Sequence, residues 1–131
     1  MFAGLLAGAA TPGDDTGMRQ AREARGRYIA ESVGMCQDCH SPRNDEGAFV
    51  VSEWLGGAPI GFAPLGAMPW ADAAPPIAGL PTMTDDQAVL FLTTGEKPDG
   101  SSARPPMPEY RMSREDAQAV VAYLRSLSPA D

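Results

Sequence analysis

Three residues within five positions carry side chains that bind metal ions or react with electrophiles. Cys36 and Cys39 are separated by two residues, and His40 follows the second cysteine directly. The sequence contains no other cysteine and no other histidine. Thiolates and neutral imidazole bind zinc, and paired thiols exchange electrons as a dithiol and a disulfide. The same spacing also occurs where a large cofactor is attached, so the surrounding sequence has to decide.

Three interpretations fit that sequence poorly. Structural zinc takes four ligands, so a carboxylate would have to complete a site built on Cys36, Cys39 and His40. A thioredoxin-like dithiol opens a helix within a βαβ unit, whereas the residues before Cys36 have a helical pattern. A plain disulfide across two residues would be strained and would stabilise little. The fourth interpretation is covalent attachment of a c-type haem, for which C-x-x-C-H is the recognised spacing.

A covalent haem would also supply apolar surface that the polypeptide lacks. Residues 43–83 are rich in Pro and Gly and keep no helical or strand period, yet they contain many large apolar side chains. A solvated linker would not contain such residues, and a structureless loop of this length is unusual in a compact domain. In the haem interpretation, Cys36 and Cys39 anchor the porphyrin through its two vinyl groups. His40 then becomes an iron ligand.

The second axial ligand cannot be a histidine of this chain, which leaves a methionine, Lys97 or an open position. Met107 lies in the sequence RPPMP (104–108) and is the one methionine with proline on both sides. Proline fixes φ and so lowers the entropy lost when a side chain is held in place. We therefore expect Met107 to bind the iron, with Met112 or Met83 as the alternatives.

Length and composition limit the other possibilities. A chain of 131 residues forms one small domain, and its 14 Gly and 13 Pro disfavour a tight helical bundle or a regular sheet. The formal net charge is −7, which argues against nucleic-acid binding, because that binding needs clustered Lys and Arg. An acidic surface suits solubility, or a basic protein partner.

The N-terminal segment is expected to lie outside the domain. Residues 1–10 are apolar, and Ala7 and Ala9 offer the small-residue pattern of a signal-peptide cleavage site. We predict that residues 1–17 are the remnant of a signal peptide or a flexible tail, and that 18–131 form the domain. No stretch is long and apolar enough to span a membrane.

Three helices are predicted from apolar periodicity and from their start and stop signals. The first runs over 18–33 and is closed by Gly34. The second begins with a capping box formed by Thr84 and Gln87 and ends at Gly95. The third begins at Ser113, has acidic residues in its first turn and ends before Pro129.

With these features, the chain resembles a class I cytochrome c. The likeness is to the small monohaem domains associated with bacterial dehydrogenases and oxidases. It covers residues 26–127 and rests on GRYIAESVGMCQDCH, the long Pro/Gly loop and PPMPEYRMSREDAQAVVAYLRSL. The 67 residues from His40 to Met107 suit that class, whereas class II cytochromes carry the motif near the C-terminus. The resemblance implies an all-α fold, with three main helices and the loop wrapped round one covalent haem.

The resemblance also implies roles for individual residues. The first helix, with Gly26 and Tyr28, should cross the last helix near Ala122, Tyr123 and Leu124, where the small glycine permits a close approach. The backbone carbonyl of Pro75 should accept a hydrogen bond from the imidazole of His40, with Pro59 and Pro64 as competing choices. Hydrogen bonds to the haem propionates are expected from Trp54 or Trp70, and from Tyr110 or Arg104.

The expected function is one-electron transfer rather than catalysis, because His/Met ligation leaves no open iron position. We expect a periplasmic carrier that takes electrons from a dehydrogenase and passes them to an oxidase or another cytochrome. Two alternatives stay open at this stage. One is a dedicated haem subunit of a dehydrogenase complex, and the other is a haem sensor or enzyme with an open sixth site.

Overall fold

A computed structural model of the chain describes residues 12–129, with their side chains from residue 15 onward. The four α-helices are α1 (Pro12–Tyr28), α2 (Cys36–His40), α3 (Asp85–Thr94) and α4 (Arg114–Ser126). Five residues of π-helix, Ile29–Val33, extend α1, and a 3₁₀ turn covers Val51–Glu53. The predicted tail falls outside the described residues as far as residue 11, and its boundary at residue 17 stays a prediction.

The predicted all-α fold is confirmed. Among residues 12–129, strand structure is limited to β1 (Ala58–Pro59) and β2 (Ala73–Ala74) and two isolated bridges. The two strands are antiparallel, with Ala58 opposite Ala74 and Pro59 opposite Ala73. The Pro/Gly-rich segment therefore folds back on itself as a hairpin between α2 and α3.

The caps of α3 and α4 match the sequence signals. The Thr84 hydroxyl accepts the Gln87 N–H at 3.2 Å, and the Gln87 side chain accepts the Thr84 N–H at 3.0 Å. Gly95 ends α3 in the left-handed region, with φ of 81°. The Ser113 hydroxyl accepts the Asp116 N–H at 3.1 Å and so begins α4. Each of these signals is local, so no tertiary contact was needed to predict it.

The first helix starts earlier than predicted. It begins at Pro12 rather than at Met18. Proline suits the first position of a helix, because the N–H that it lacks has no partner there. Residues 12–17 read PGDDTG and contain no large apolar side chain, so no apolar stripe indicates a helix before Met18.

The close crossing of α1 and α4 organises the fold. A Cβ atom placed on Gly26 would lie 1.8 Å from the carbonyl oxygen of Ala119. The prediction that glycine permits this approach is therefore confirmed. Its predicted place, near Ala122–Leu124, is about one turn too far along α4. The reason is that Ala119 is the small buried residue, whereas Ala122 is only half-buried.

The C-terminal end of α4 holds the chain that leads into α3. The guanidinium of Arg125 donates to the carbonyls of Gly79 and Met83, at 2.6 and 2.8 Å, and to Asp85 Oδ1 at 2.7 Å. The Gly79 N–H donates to the carbonyl of Leu124 at 2.8 Å. Arg125 thus makes a fixed junction between α4 and the end of the Pro/Gly-rich segment.

Replacing Gly26 with Ala should destabilise the protein strongly. The added methyl group would overlap the backbone of Ala119, and overpacking of this kind costs about 3 kcal/mol. Gly17→Ala is the matched control, because a Cβ on Gly17 meets nothing within 4 Å. Helix propensity predicts that this control gains about 1 kcal/mol. Thermal unfolding of both variants measures the difference, and a wild-type melting temperature for Gly26→Ala would contradict the crossing.

Candidate haem-binding site

The motif is held in place by contacts just before it. Met35 adopts the left-handed conformation, with φ of 49°, and turns the chain from the π-helix into α2. The Tyr110 hydroxyl donates to the carbonyl of Gly34 at 2.9 Å. The Gln37 side-chain amide donates to the carbonyl of Glu31, also at 2.9 Å. These bonds fix where Cys36 begins the short helix.

The two cysteines do not form a disulfide. Both thiols are half-buried in α2. Burial raises the pKa of Cys36 to about 11, so this sulfur is a protonated thiol near neutral pH. Because the thiolate is the species that exchanges disulfides and binds zinc, a dithiol redox centre is disfavoured. Within residues 12–129, no group of three or more His, Cys, Asp or Glu side chains could hold a metal ion.

His40 is buried, and one of its ring nitrogens is already engaged. Nδ1 lies 2.7 Å from the carbonyl oxygen of Pro75. A carbonyl can only accept, so Nδ1 carries the proton and the lone pair is on Nε2. Burial also lowers the pKa of His40, which favours the neutral ring. Of the three candidate prolines, Pro75 is the one whose carbonyl is hydrogen-bonded to His40, and its role beside an iron ligand stays a prediction.

Met107 lies in a turn that is tied to the hairpin. The Met107 N–H donates to the carbonyl of Arg104 at 3.1 Å, and the Pro105 carbonyl accepts the Ala71 N–H at 2.7 Å. Met107 is half-buried and lies outside the group of side chains that pack against the protein core. The alternatives, Met83 and Met112, both pack against that core. Their side chains therefore already have a structural use.

Two apolar side chains that flank the start of the motif are exposed to solvent. They are Val33 and Met35. Exposed apolar side chains beside a site offer surface to whatever binds there. Two unpaired thiols on one short helix, a histidine with Nε2 available and these apolar side chains fit the attachment of a haem.

The sequence profile of the Cytochrome c family matches residues 23–128, which is most of the chain. The chain belongs to the cytochrome c family. Proteins of this family bind haem c covalently and transfer electrons, so the coarse predictions of cofactor and activity are confirmed.

Two curated proteins are similar to this cytochrome c chain. It is 36% identical over 108 residues to the diheme cytochrome c-type protein of Cereibacter sphaeroides. It is 32% identical over 113 residues to the fructose dehydrogenase cytochrome subunit of Gluconobacter japonicus. Each alignment covers 79% of this chain, but only 34% of the first relative and 21% of the second. The chain thus spans about a third and a fifth of their lengths.

Three of the four predicted donors to the propionates of this cytochrome c already have acceptors in the protein. Trp54 Nε1 donates to the Tyr123 hydroxyl at 3.2 Å, and Trp70 Nε1 donates to the carbonyl of Phe62 at 3.0 Å. The Tyr110 hydroxyl is bonded to Gly34, as described above. The guanidinium of Arg104 is exposed, and no residue of the described part forms an ion pair or hydrogen bond with it.

Sequence reasoning missed two residues beside His40. The Gly57 N–H donates to the carbonyl of His40 at 2.8 Å. Ser41 is buried directly after His40 and bonds to Leu55. Neither has a sequence signal of its own, because glycine and serine are common in any Pro/Gly-rich chain. None of the helices within residues 12–129 has the length and apolar character that crossing a bilayer requires.

We expect Trp54 and Tyr123 to stabilise the fold through one shared bond. Trp54→Phe and Tyr123→Phe should each lower the free energy of unfolding by about 1 kcal/mol. The double variant should lose less than the sum, because both single changes remove the same hydrogen bond. Denaturant unfolding measures all three. Strictly additive losses, with a shifted reduction potential in Trp54→Phe alone, would instead indicate a bond from Trp54 to the haem.

Proposed function

We propose that this chain binds one haem c through thioethers to Cys36 and Cys39, and that His40 Nε2 and Met107 Sδ would hold its iron. The observation that carries the proposal is the bond from His40 Nδ1 to the Pro75 carbonyl, which leaves Nε2 as the nitrogen available to a metal. When bound, the haem supplies an iron that alternates between the ferrous and ferric states. The protein holds the two ligands, excludes water and leaves no open position for a substrate.

The choice of Met107 is supported by what the other methionines do. Met83 and Met112 pack against the core, and moving either one to an iron would leave a gap there. Met107 is in a turn held by the Ala71–Pro105 bond and lies between two prolines. The turn restricts the backbone without using the thioether. Arg104, at the start of the same turn, is proposed as the residue that binds a haem propionate.

We further propose that this domain serves as a haem module docked to a dehydrogenase in the periplasm. One of its relatives is named as the cytochrome subunit of a dehydrogenase. Residues 54–71 contain no charged side chain, and Phe62, Leu65 and Met68 are exposed there. A freely diffusing carrier relies on charge to steer its encounters, whereas a lasting interface is apolar. The hairpin therefore favours stable docking, although a diffusing carrier stays the second candidate.

The haem and its ligands can be tested by spectroscopy. The pyridine haemochrome of the wild type should show a haem with both vinyl groups saturated, and the colour should survive acid–acetone extraction. Ferric wild type should show the far-red sulfur–iron charge-transfer band. Met107→Ala should lose that band and bind CO or cyanide, because its iron would have an open position. Met112→Leu is the matched control and should keep the band.

Two results would count against this assignment. A haem that is extracted by acid–acetone would exclude thioether attachment through Cys36 and Cys39. A wild type without the far-red band that binds CO readily would favour a sensor or enzyme with an open sixth site.

Docking can be tested at the tip of the hairpin. Leu65→Glu should reduce co-purification with the native dehydrogenase, because it places a charge in an apolar interface. Val51→Glu is the control, since Val51 is also exposed but precedes the uncharged stretch. The haem spectrum of both variants should match the wild type. Equal retention of Leu65→Glu and wild type in the complex would argue for the diffusing carrier.

A further inference from the structure

We propose that the buried hydroxyl of Ser41 is a positioning group for His40. Acting through the backbone of Leu55, it holds the segment whose Pro75 carbonyl binds His40 Nδ1, and it thereby contributes to the reduction potential. The inference rests on the proposed ligation of iron by His40. It concerns a residue that neither touches the iron nor belongs to the attachment motif.

The first link is a buried hydrogen bond next to the ligand. Ser41 follows His40 directly and is 2% exposed. Its Oγ accepts the backbone N–H of Leu55 at 2.8 Å, and Leu55 is itself fully buried. Without that oxygen, the Leu55 N–H would be left without a partner in a site that water does not reach.

The second link joins Leu55 to the chain just after Pro75. The carbonyl of Leu55 accepts two backbone N–H groups, that of Ile77 at 2.9 Å and that of Ala78 at 3.0 Å. Pro75 is two residues before Ile77, and its own carbonyl binds His40 Nδ1 at 2.7 Å. The contacts therefore form a closed circuit, from His40 through Ser41, Leu55 and residues 75–77 back to the imidazole.

The backbone of this circuit is held in an unfavourable conformation. Leu55 has φ of 54°, a left-handed value that is unfavourable for a residue with a side chain. Such a conformation persists only where the neighbours determine it, and here both the N–H and the carbonyl of Leu55 are bonded. Gly57 supports the same arrangement. Its N–H bonds to the His40 carbonyl, and a Cβ there would lie 2.9 Å from the Pro76 nitrogen.

The circuit matters because the hydrogen bond from Nδ1–H changes the basicity of Nε2, the nitrogen proposed to bind the iron. A carbonyl that accepts this proton raises the basicity of Nε2 and so stabilises the ferric iron relative to the ferrous iron. Loosening the Pro75 carbonyl weakens that effect, and the reduction potential should rise. The Ser41 hydroxyl bonds to Leu55 and not to the imidazole, so a change in the reduction potential on its removal reports coupling through the circuit.

The experiment compares Ser41→Ala with Ser113→Ala in the haem-loaded protein. Both remove a hydroxyl that accepts a backbone N–H, but Ser113 caps α4 and has no part in the circuit. Ser41→Ala should raise the reduction potential and speed the exchange of the His40 Nδ1–H proton, followed by NMR. Ser113→Ala should leave both at wild-type values. If the two variants give the same potential and the same exchange rate, Ser41 is structural only and the inference fails.

A measurement on the wild type covers the case in which Ser41→Ala does not mature. The amides of Leu55, Ile77 and Ala78 should exchange with the same protection as the His40 Nδ1–H, because one opening event breaks the circuit. Rapid exchange of the Leu55 amide, together with slow exchange of the imidazole proton, would overturn the inference but not the ligation by His40. Absence of hyperfine-shifted His40 ring signals in the wild type would instead overturn the ligation by His40, and the inference with it.

Discussion

The close approach of α1 to α4 at Gly26 is the contact on which the rest of the structure depends. The two helices come from opposite ends of the described chain. Each one positions a segment at one edge of the site. From the crossing, α1 continues through the π-helix into the attachment motif. From the same crossing, α4 runs to Arg125, which fixes the junction before α3. A Cβ at Gly26 would separate the helices and so move both segments.

Between those edges, the long segment is irregular because its backbone groups bond to distant parts of the chain. Gly57 bonds to His40, Ala71 to Pro105, and Gly79 to Leu124. In a helix or a sheet, the same groups would pair with neighbours along the element or along a ladder. The irregular backbone therefore connects the motif, the Met107 turn and α4 in one framework. This explains how so many Gly and Pro residues are compatible with a folded domain.

Local signals were readable in the sequence, and long-range relations were not. The caps at Thr84 and Ser113 depend on residues a few positions apart, so the sequence predicted them correctly. The attachment motif was equally local. The start of α1 was missed because residues 12–17 contain no large apolar side chain and so show no apolar period. The family resemblance placed the crossing one turn away from Ala119, because a likeness identifies the helices that meet but not their register.

The same limit applied to the polar side chains around the site. An indole or a phenol in a sequence offers a donor, but only the fold shows whether that donor has already found an acceptor. Trp54 bonds to Tyr123 and Tyr110 to Gly34, contacts that span 69 and 76 positions. Pro75 illustrates the converse. With no N–H, neither Pro75 nor Pro76 can extend the ladder beyond Ala74, and β2 ends there. The Pro75 carbonyl is consequently free of a strand partner and faces His40, so the residue that stops the strand also orients the histidine.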